Sequence, residues 1–258
     1  MYSCWAALLV RPGAAARTTT PGGPAVPRAT RVLAIAHRGD PVRYRENTVD
    51  AVRSAMEQGA DAVEVDVQLA ADGTVVALHD DTLTRHWGDP RPVSALTWPE
   101  IERLGDAGTH VPRLEELLDL SAQTGVPLVI DQKHPIAALP AADVVRRHRA
   151  DGTAFCGSTE GLLEIRATDR DATIYFNDTT LQLPDVRLLA VLRPQFYNPY
   201  WRLLAPATVD ALHAFGIGLC CWTPNEDADL RLVLDMGVDA VMTDRVGALR
   251  VLLDGAAT

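Results

Sequence analysis

Apolar positions along this chain gather into short runs separated by amphipathic stretches, beginning at Val32. The runs span residues 32–36, 62–67, 75–78, 128–130, 153–156, 172–176, 195–197, 218–222 and 240–242. Each has strand length, and most are followed by a segment whose apolar residues recur at helical spacing. Val49, Val52, Ala55 and Met56 form one such stripe, with Asn47 or Thr48 as its N-cap and Gly59 behind it. Val209, Leu212 and Phe215 form a second, closed by Gly216, and Leu230, Val233 and Leu234 a third, ending at Gly237. Repeated strand-helix alternation predicts a parallel sheet with helices packed outside it.

A closed TIM (β/α)8 barrel fits better than an open doubly wound sheet. No glycine-rich phosphate loop follows the first run, and polar residues cluster at several strand ends instead of one crevice: His37-Arg38, Glu64 and Asp66, His79, Asp131 to Lys133, and Trp222 to Asn225. Only residues 68–74 separate the second and third runs, too few for a helical crossover, and Asp72-Gly73 is a strong turn signal. The pattern therefore predicts a β-hairpin near the second strand. The hairpin accounts for nine runs in an eight-strand barrel and places Glu64 roughly opposite His79, with Asp66 on the same face as Glu64. Residues 81–125, with Trp87, Pro90, Pro92, Trp98 and Pro99, read as an irregular insertion before the fourth strand and over the catalytic rim. Residues 1–30, acid-free and rich in Pro, Gly, Ala and Thr, read as a disordered tail ahead of a single domain at 31–258.

Composition narrows the function. With 258 residues, 47% hydrophobic and 22% charged, the chain is an ordinary globular protein, and its formal charge of −10 argues against nucleic acid as a partner. A small anionic substrate is still allowed, because a local site can oppose the global field. Of the 24 Lys and Arg residues only Lys133 is lysine, and it stands where an apolar run ends. A compact ammonium in place of a planar fork is one reason for a lysine there; a surface lysine left by chance is the other. Cys156, Cys220 and Cys221 lie in strand-like context and read as buried small hydrophobes, consistent with a cytoplasmic setting, although a degenerate export signal near Cys4 stays open. No segment has the length of a membrane span.

Chemistry converges on residues 37–80. Two imidazoles, His37 and His79, can share acid-base work; Glu64 and Asp66, spaced i, i+2, can hold a hard cation; Arg38 can grip an anionic oxygen. Taken singly, each histidine reads more readily as a hydrogen-bonded structural residue. Together they supply the parts of a metal-assisted phosphodiester cleavage.

These residues sit in a longer series: His37-Arg38-Gly39, Glu46-Asn47-Thr48, Gly59-Ala60-Asp61 running to Val67, Asp72-Gly73, His79-Asp80, Val111 to Leu118, Lys133, Trp222-Thr223-Pro224-Asn225, and Gly237 to Asp244. In order and spacing the series resembles the glycerophosphodiester phosphodiesterase family, from about Val32 to Asp244. The resemblance implies a metal-dependent TIM-barrel hydrolase releasing sn-glycerol 3-phosphate and an alcohol. It implies His37 and His79 as the general acid/base pair and Glu64, Asp66 and Asp131 as ligands of Mg²⁺ or Ca²⁺. Arg38 and Lys133 would hold the phosphate, and Trp222 and Asn225 would line the substrate pocket. Asp131 stands where relatives commonly carry glutamate, and Arg45 where they carry proline. Core packing explains Trp222 equally well, and an N-cap role suffices for Asn47. Attack by a substrate hydroxyl through a cyclic phosphate, or directly by water, both remain open. A phospholipase D-like barrel acting on lysophospholipids or sphingomyelin would use the same groups. So would a non-catalytic phosphodiester-binding barrel.

Overall fold

Side chains alternate across a strand, and in this chain the alternation builds two apolar layers. The computed structural model describes residues 31–106, 108–180 and 185–255. Its strands are β1 (Leu33–Ala36), β2 (Ala62–Leu69), β3 (Val75–Ala77), β4 (Leu128–Gln132), β5 (Ala154–Gly157), β6 (Thr173–Asp178), β7 (Phe196–Pro199), β8 (Gly218–Trp222) and β9 (Ala240–Thr243). The sheet order is β1-β9-β8-β7-β6-β5-β4-β2-β3, and β1 also pairs with β2, so eight parallel strands close on themselves. All nine apolar runs are strands, and the barrel is the one the pattern predicts.

The helices are α1 (Val49–Glu57), α2 (Thr84–Trp87), α3 (Trp98–Glu102), α4 (Leu114–Thr124), α5 (Ala138–His148), α6 (Thr159–Thr168), α7 (Val186–Leu192), α8 (Pro206–Ala214), α9 (Asp227–Asp235) and α10 (Val246–Gly255). On β2, Val63, Val65 and Val67 are fully buried beneath the surrounding helices, while Ala62 faces inward with Ile35, Val129, Ala154, Cys156, Tyr175, Phe196, Cys220, Ala240 and Met242. This inner layer fills the barrel, with the Tyr175 and Phe196 rings stacked at 4.4 Å. Cys156, Cys220 and Cys221 are free and buried, as their context predicts. Two residues beyond the inner apolar layer, several strands reach the C-terminal mouth with a polar side chain. There Glu64 and Asp66, Asp131, Asn177, Asn198 and Asp244 gather.

β3 runs antiparallel to β2, with Val67 paired to Ala77 and Leu69 to Val75. Extending that register puts Asp80 opposite Glu64 and His79 opposite Val65, one residue away from the expected pairing of Glu64 with His79. The irregular excursion ends earlier than predicted. α4 packs between α1 and α5 as one of the barrel's outer helices, so only the stretch up to Pro112 departs from the repeat. That stretch has its own small core, with Leu83, Val93, Leu96, Ile101 and Val111 packed on Ala70, Val76 and Leu78 of the hairpin.

Two further expectations change. Phe215, counted on the α8 stripe with Val209 and Leu212, is 75% exposed, because the helix ends at Ala214 and the ring falls outside its apolar face. Thr48, not Asn47, caps α1, its hydroxyl accepting from Ala51 N. At the base of the barrel Arg166 is buried, has no carboxylate partner among the described residues, and donates to the carbonyls of Asp169, Arg170, Ala172, Leu192 and Arg193, joining α6, β6 and the end of α7. The expected tail at 1–30 and Cys4 lie outside the described residues. Among the described residues no helix is long and apolar enough to cross a membrane.

Candidate active site

The site begins with three carboxylates on two neighbouring strands. Asp66 and Asp131 are register partners across β2 and β4, and Glu64 lies two residues earlier on the same face as Asp66. One oxygen from each of Glu64, Asp66 and Asp131 lies within 4.8 Å of the others. Glu64 and Asp66 are buried, 2% and 4% exposed. Burial and the neighbouring charges of Asp66 and Asp131 raise the Glu64 carboxyl well above the usual carboxylate range. Burial, followed by Asp66, pushes Asp131 up to about 6. Three acids this close cannot all ionise comfortably unless a cation is present, and oxygen-only donors suit a hard divalent ion. Relative to the commoner glutamate, the shorter Asp131 still reaches the cluster, where Asn177 Nδ2 donates to its Oδ2 at 3.1 Å.

Support comes from the loop after β1. Arg38 N donates to Glu64 Oε2 at 2.9 Å, while its guanidinium lies 3.1 Å from both Asp66 Oδ2 and Glu46 Oε1. Burial works to lower the Arg38 pKa, but Asp66, Glu64 and Glu46 outweigh it and raise the value. Arg38 and Asn47 both adopt left-handed backbone, at φ 57° and 59°, a cost that asparagine bears more easily than arginine. Gly39 between them permits no side chain, since a Cβ would sit 2.6 Å from Ala51 C. The N-cap reading of Asn47 is therefore corrected. Its Nδ2 donates to Asp66 Oδ2 at 2.8 Å and its Oδ1 accepts from Asp66 N at 3.0 Å, so the residue locks the middle carboxylate.

Each predicted histidine has a carboxylate on Nδ1. His37 Nδ1 lies 2.7 Å from Asp244 Oδ1, and His79 Nδ1 lies 2.7 Å from Asp80 Oδ1. With an ionised partner Nδ1 carries the proton, which leaves Nε2 as the nitrogen able to act as a base or, once protonated, an acid. Burial works to raise the Asp244 carboxyl, but hydrogen bonds from His37 and Asn225 outweigh it and hold it below the usual range. Gln68, buried on β2, donates its amide to the carbonyls of Leu78, His79 and Asp80 and fixes the backbone that carries His79.

Asn225 has a structural task in addition to its expected place in the pocket. Its Nδ2 donates to Asp244 Oδ2 at 2.6 Å and its Oδ1 accepts from Asp244 N and Thr243 Oγ1, so the amide is committed to holding Asp244. Trp222 sits at the mouth on the inner layer, with Nε1 donating to Asn198 O at 3.0 Å and its ring 5.5 Å from Tyr200. Lys133 is exposed after β4, with Nζ 3.4 Å from Asp81 Oδ1. Asp244, Asp80 and Gln68 are the supporting residues that sequence reasoning missed. Following the inward alternation from Ala240 and Met242 one step further reaches Asp244.

With this geometry in hand, likeness to known proteins is informative. The family model "Glycerophosphoryl diester phosphodiesterase family" matches residues 37–248. A glycerophosphodiester phosphodiesterase of Caldanaerobacter subterraneus subsp. tengcongensis is 28% identical over 243 residues, covering 83% of this chain and 94% of its own. A Mycobacterium tuberculosis relative is 31% identical over 86% of this chain and 90% of its own. A crystal structure from Silicibacter pomeroyi, 26% identical, superposes with a TM-score of 0.78 over 88% of this chain and 95% of its own. An Oleispira antarctica phosphodiesterase in complex with sn-glycerol-3-phosphate shares the fold, with a TM-score of 0.81, 21% identity, and coverage of 87% of this chain and 97% of its own. Barrel, site and relatives together define a TIM-barrel phosphoric diester hydrolase. The chain belongs to the glycerophosphoryl diester phosphodiesterase family.

Proposed function

We propose that the protein hydrolyses glycerophosphodiesters to sn-glycerol 3-phosphate and an alcohol, with a divalent cation and two histidines. The observation that supports this reading is the trio Glu64, Asp66 and Asp131 on neighbouring strands, together with His37 and His79, each held on Nδ1 by an aspartate. Glu64, Asp66 and Asp131 would hold Mg²⁺ or Ca²⁺, which when bound neutralises charge on the phosphoryl oxygens. One histidine takes the proton from the attacking oxygen and the other protonates the leaving alkoxide. Asp244 and Asp80 stabilise whichever ring carries the extra proton. Lys133, whose ammonium lies 3.4 Å from the exposed Asp81, can move to a non-bridging phosphate oxygen. Arg38, already engaged by Asp66 and Glu46, adds positive field and shapes the carboxylates more than it grips substrate. Trp222 offers an apolar wall to the glycerol backbone.

The test is turnover of glycerophosphocholine with Mg²⁺, Ca²⁺ or Mn²⁺ by the wild type and by His37→Ala and His79→Ala. Each variant should lose at least about 10²-fold in kcat, the usual worth of one general acid or base, with its melting temperature retained. Near-wild-type turnover in either would remove that histidine from the mechanism. A second substrate reading comes from a Mus musculus lysophospholipase D, 25% identical over 91% of this chain. Micellar lysophosphatidylcholine assayed beside glycerophosphocholine separates the two, and the soluble diester is expected to be preferred. The free buried thiols fit a cytoplasmic location, which belongs to this proposal.

A further inference from the structure

Outside the residues given roles above, one side chain joins both arms of the site. Arg85, on α2 of the irregular excursion, donates Nε to Asp80 Oδ2 at 2.7 Å and Nη2 to Asp80 Oδ1 at 2.9 Å. The same guanidinium donates Nη1 to Glu46 Oε2 at 3.0 Å and Nη2 to Glu46 Oε1 at 2.6 Å. Asp80 is the carboxylate behind His79, and Glu46 the one behind Arg38. One planar fork therefore spans two carboxylates bidentately and ties the histidine arm to the arginine loop after β1. On the same helix Trp87 carries the Arg45 guanidinium 4.3 Å from its ring centre, which seats α2 against the 45–47 turn.

We propose that Arg85 is a positioning residue for the phosphodiesterase reaction, fixing the rotamer of Asp80 and through it the ring of His79, while holding Glu46 for Arg38. The inference rests on the proposed function for its catalytic consequence, though not for its geometry. Without Arg85, Asp80 keeps only His79 as a side-chain partner and is free to turn toward solvent, and the His79 ring turns with it. Misplacement of a reacting group by a fraction of an ångström to one ångström is enough to slow a reaction by orders of magnitude. A lysine cannot substitute, because a point ammonium satisfies one carboxylate edge, not two. Arg85 is 45% exposed, and exposed ion pairs add little to folding stability. Its loss should therefore affect the reaction more than the fold. The Asp80 carboxyl is held well below its ordinary range, with Arg85 as the largest cause.

The experiment combines kinetics with histidine-labelled ¹⁵N NMR of the full chain, on wild type, Arg85→Ala and Arg85→Lys. In both variants the slowly exchanging Nδ1 proton of His79 should disappear while that of His37, held by Asp244, remains. Turnover of glycerophosphocholine should fall about 10²-fold in kcat, with KM within roughly threefold because the substrate-binding groups are untouched. Free guanidinium at tens of millimolar should recover kcat at least tenfold in Arg85→Ala and not in His79→Ala. Retention of the His79 signal with kcat within threefold of wild type would overturn the proposal. So would joint loss of both histidine signals, which marks general loosening. If the wild type turns over no glycerophosphodiester, the proposed function falls, and the His79 proton alone decides the role of Arg85.

Discussion

At the residue scale, the site is a set of charges that stabilise one another only in one arrangement. Three acids crowd together while two others, Asp244 and Asp80, each hold an imidazole. The last of these offers a direct pH test. The folded Asp80 carboxyl ionises below its ordinary value of 3.8, so at acid pH the unfolded chain binds the extra proton. Its stabilisation is thus fully present above about pH 4 and drains away as pH falls further. The melting-temperature advantage of wild type over Asp80→Asn should hold above about pH 4 and narrow as pH falls below it. A constant gap would mean that Asp80 does not carry this linkage. The same-face pair Glu64 and Asp66 was legible from local spacing because a strand sets its own alternation. Asp244 was not, since it meets His37 from 207 residues away along the chain. Only barrel closure brings β1 beside β9. Asn47 was misjudged for the same reason: a side chain's partner is a tertiary fact, and a helix-cap residue type can serve another role.

At the element scale, strands were more legible than helix ends. Nine apolar runs became nine strands because short apolar runs bounded by turn signals leave little else to form. Phe215 fell off its stripe because the α8 boundary lies one residue before it, and boundaries depend on capping contacts that periodicity does not record. Below the site, Arg166 gathers five carbonyls where α6, β6 and α7 meet. Arg166→Met leaves those acceptors buried without a donor, and a charged hydrogen bond contributes about 1.5–3 kcal/mol. A loss of about 3 kcal/mol is expected in urea unfolding, with kcat unchanged because the seam is at the opposite end of the barrel. A loss below about 0.5 kcal/mol, the scale of an ordinary surface change, would show that water replaces the guanidinium there.

At the scale of the whole molecule, the crowding of the acidic trio would be relieved by the proposed cation. A ligand binding only the folded state stabilises it by about 2.7 kcal/mol at one hundred times its Kd. Mg²⁺ or Ca²⁺ should therefore raise the melting temperature of the wild type, chelation should reverse the gain, and Glu64→Gln should blunt it. Equal shifts in both proteins would place the ion elsewhere. Because the excursion through α2 and α3 packs on the hairpin with its own core, changes there are expected to remain local to the rim.

The single lysine has a practical corollary. Lys133 is the only side-chain primary amine in the chain, and it projects, 43% exposed, from the end of β4 beside the proposed phosphate position. Acylating reagents that would scatter over most proteins have one side chain to modify here. A label, crosslinker or surface tether joined through that amine reports from the catalytic mouth by default, and immobilisation through lysine chemistry would obstruct the very opening it was meant to leave free.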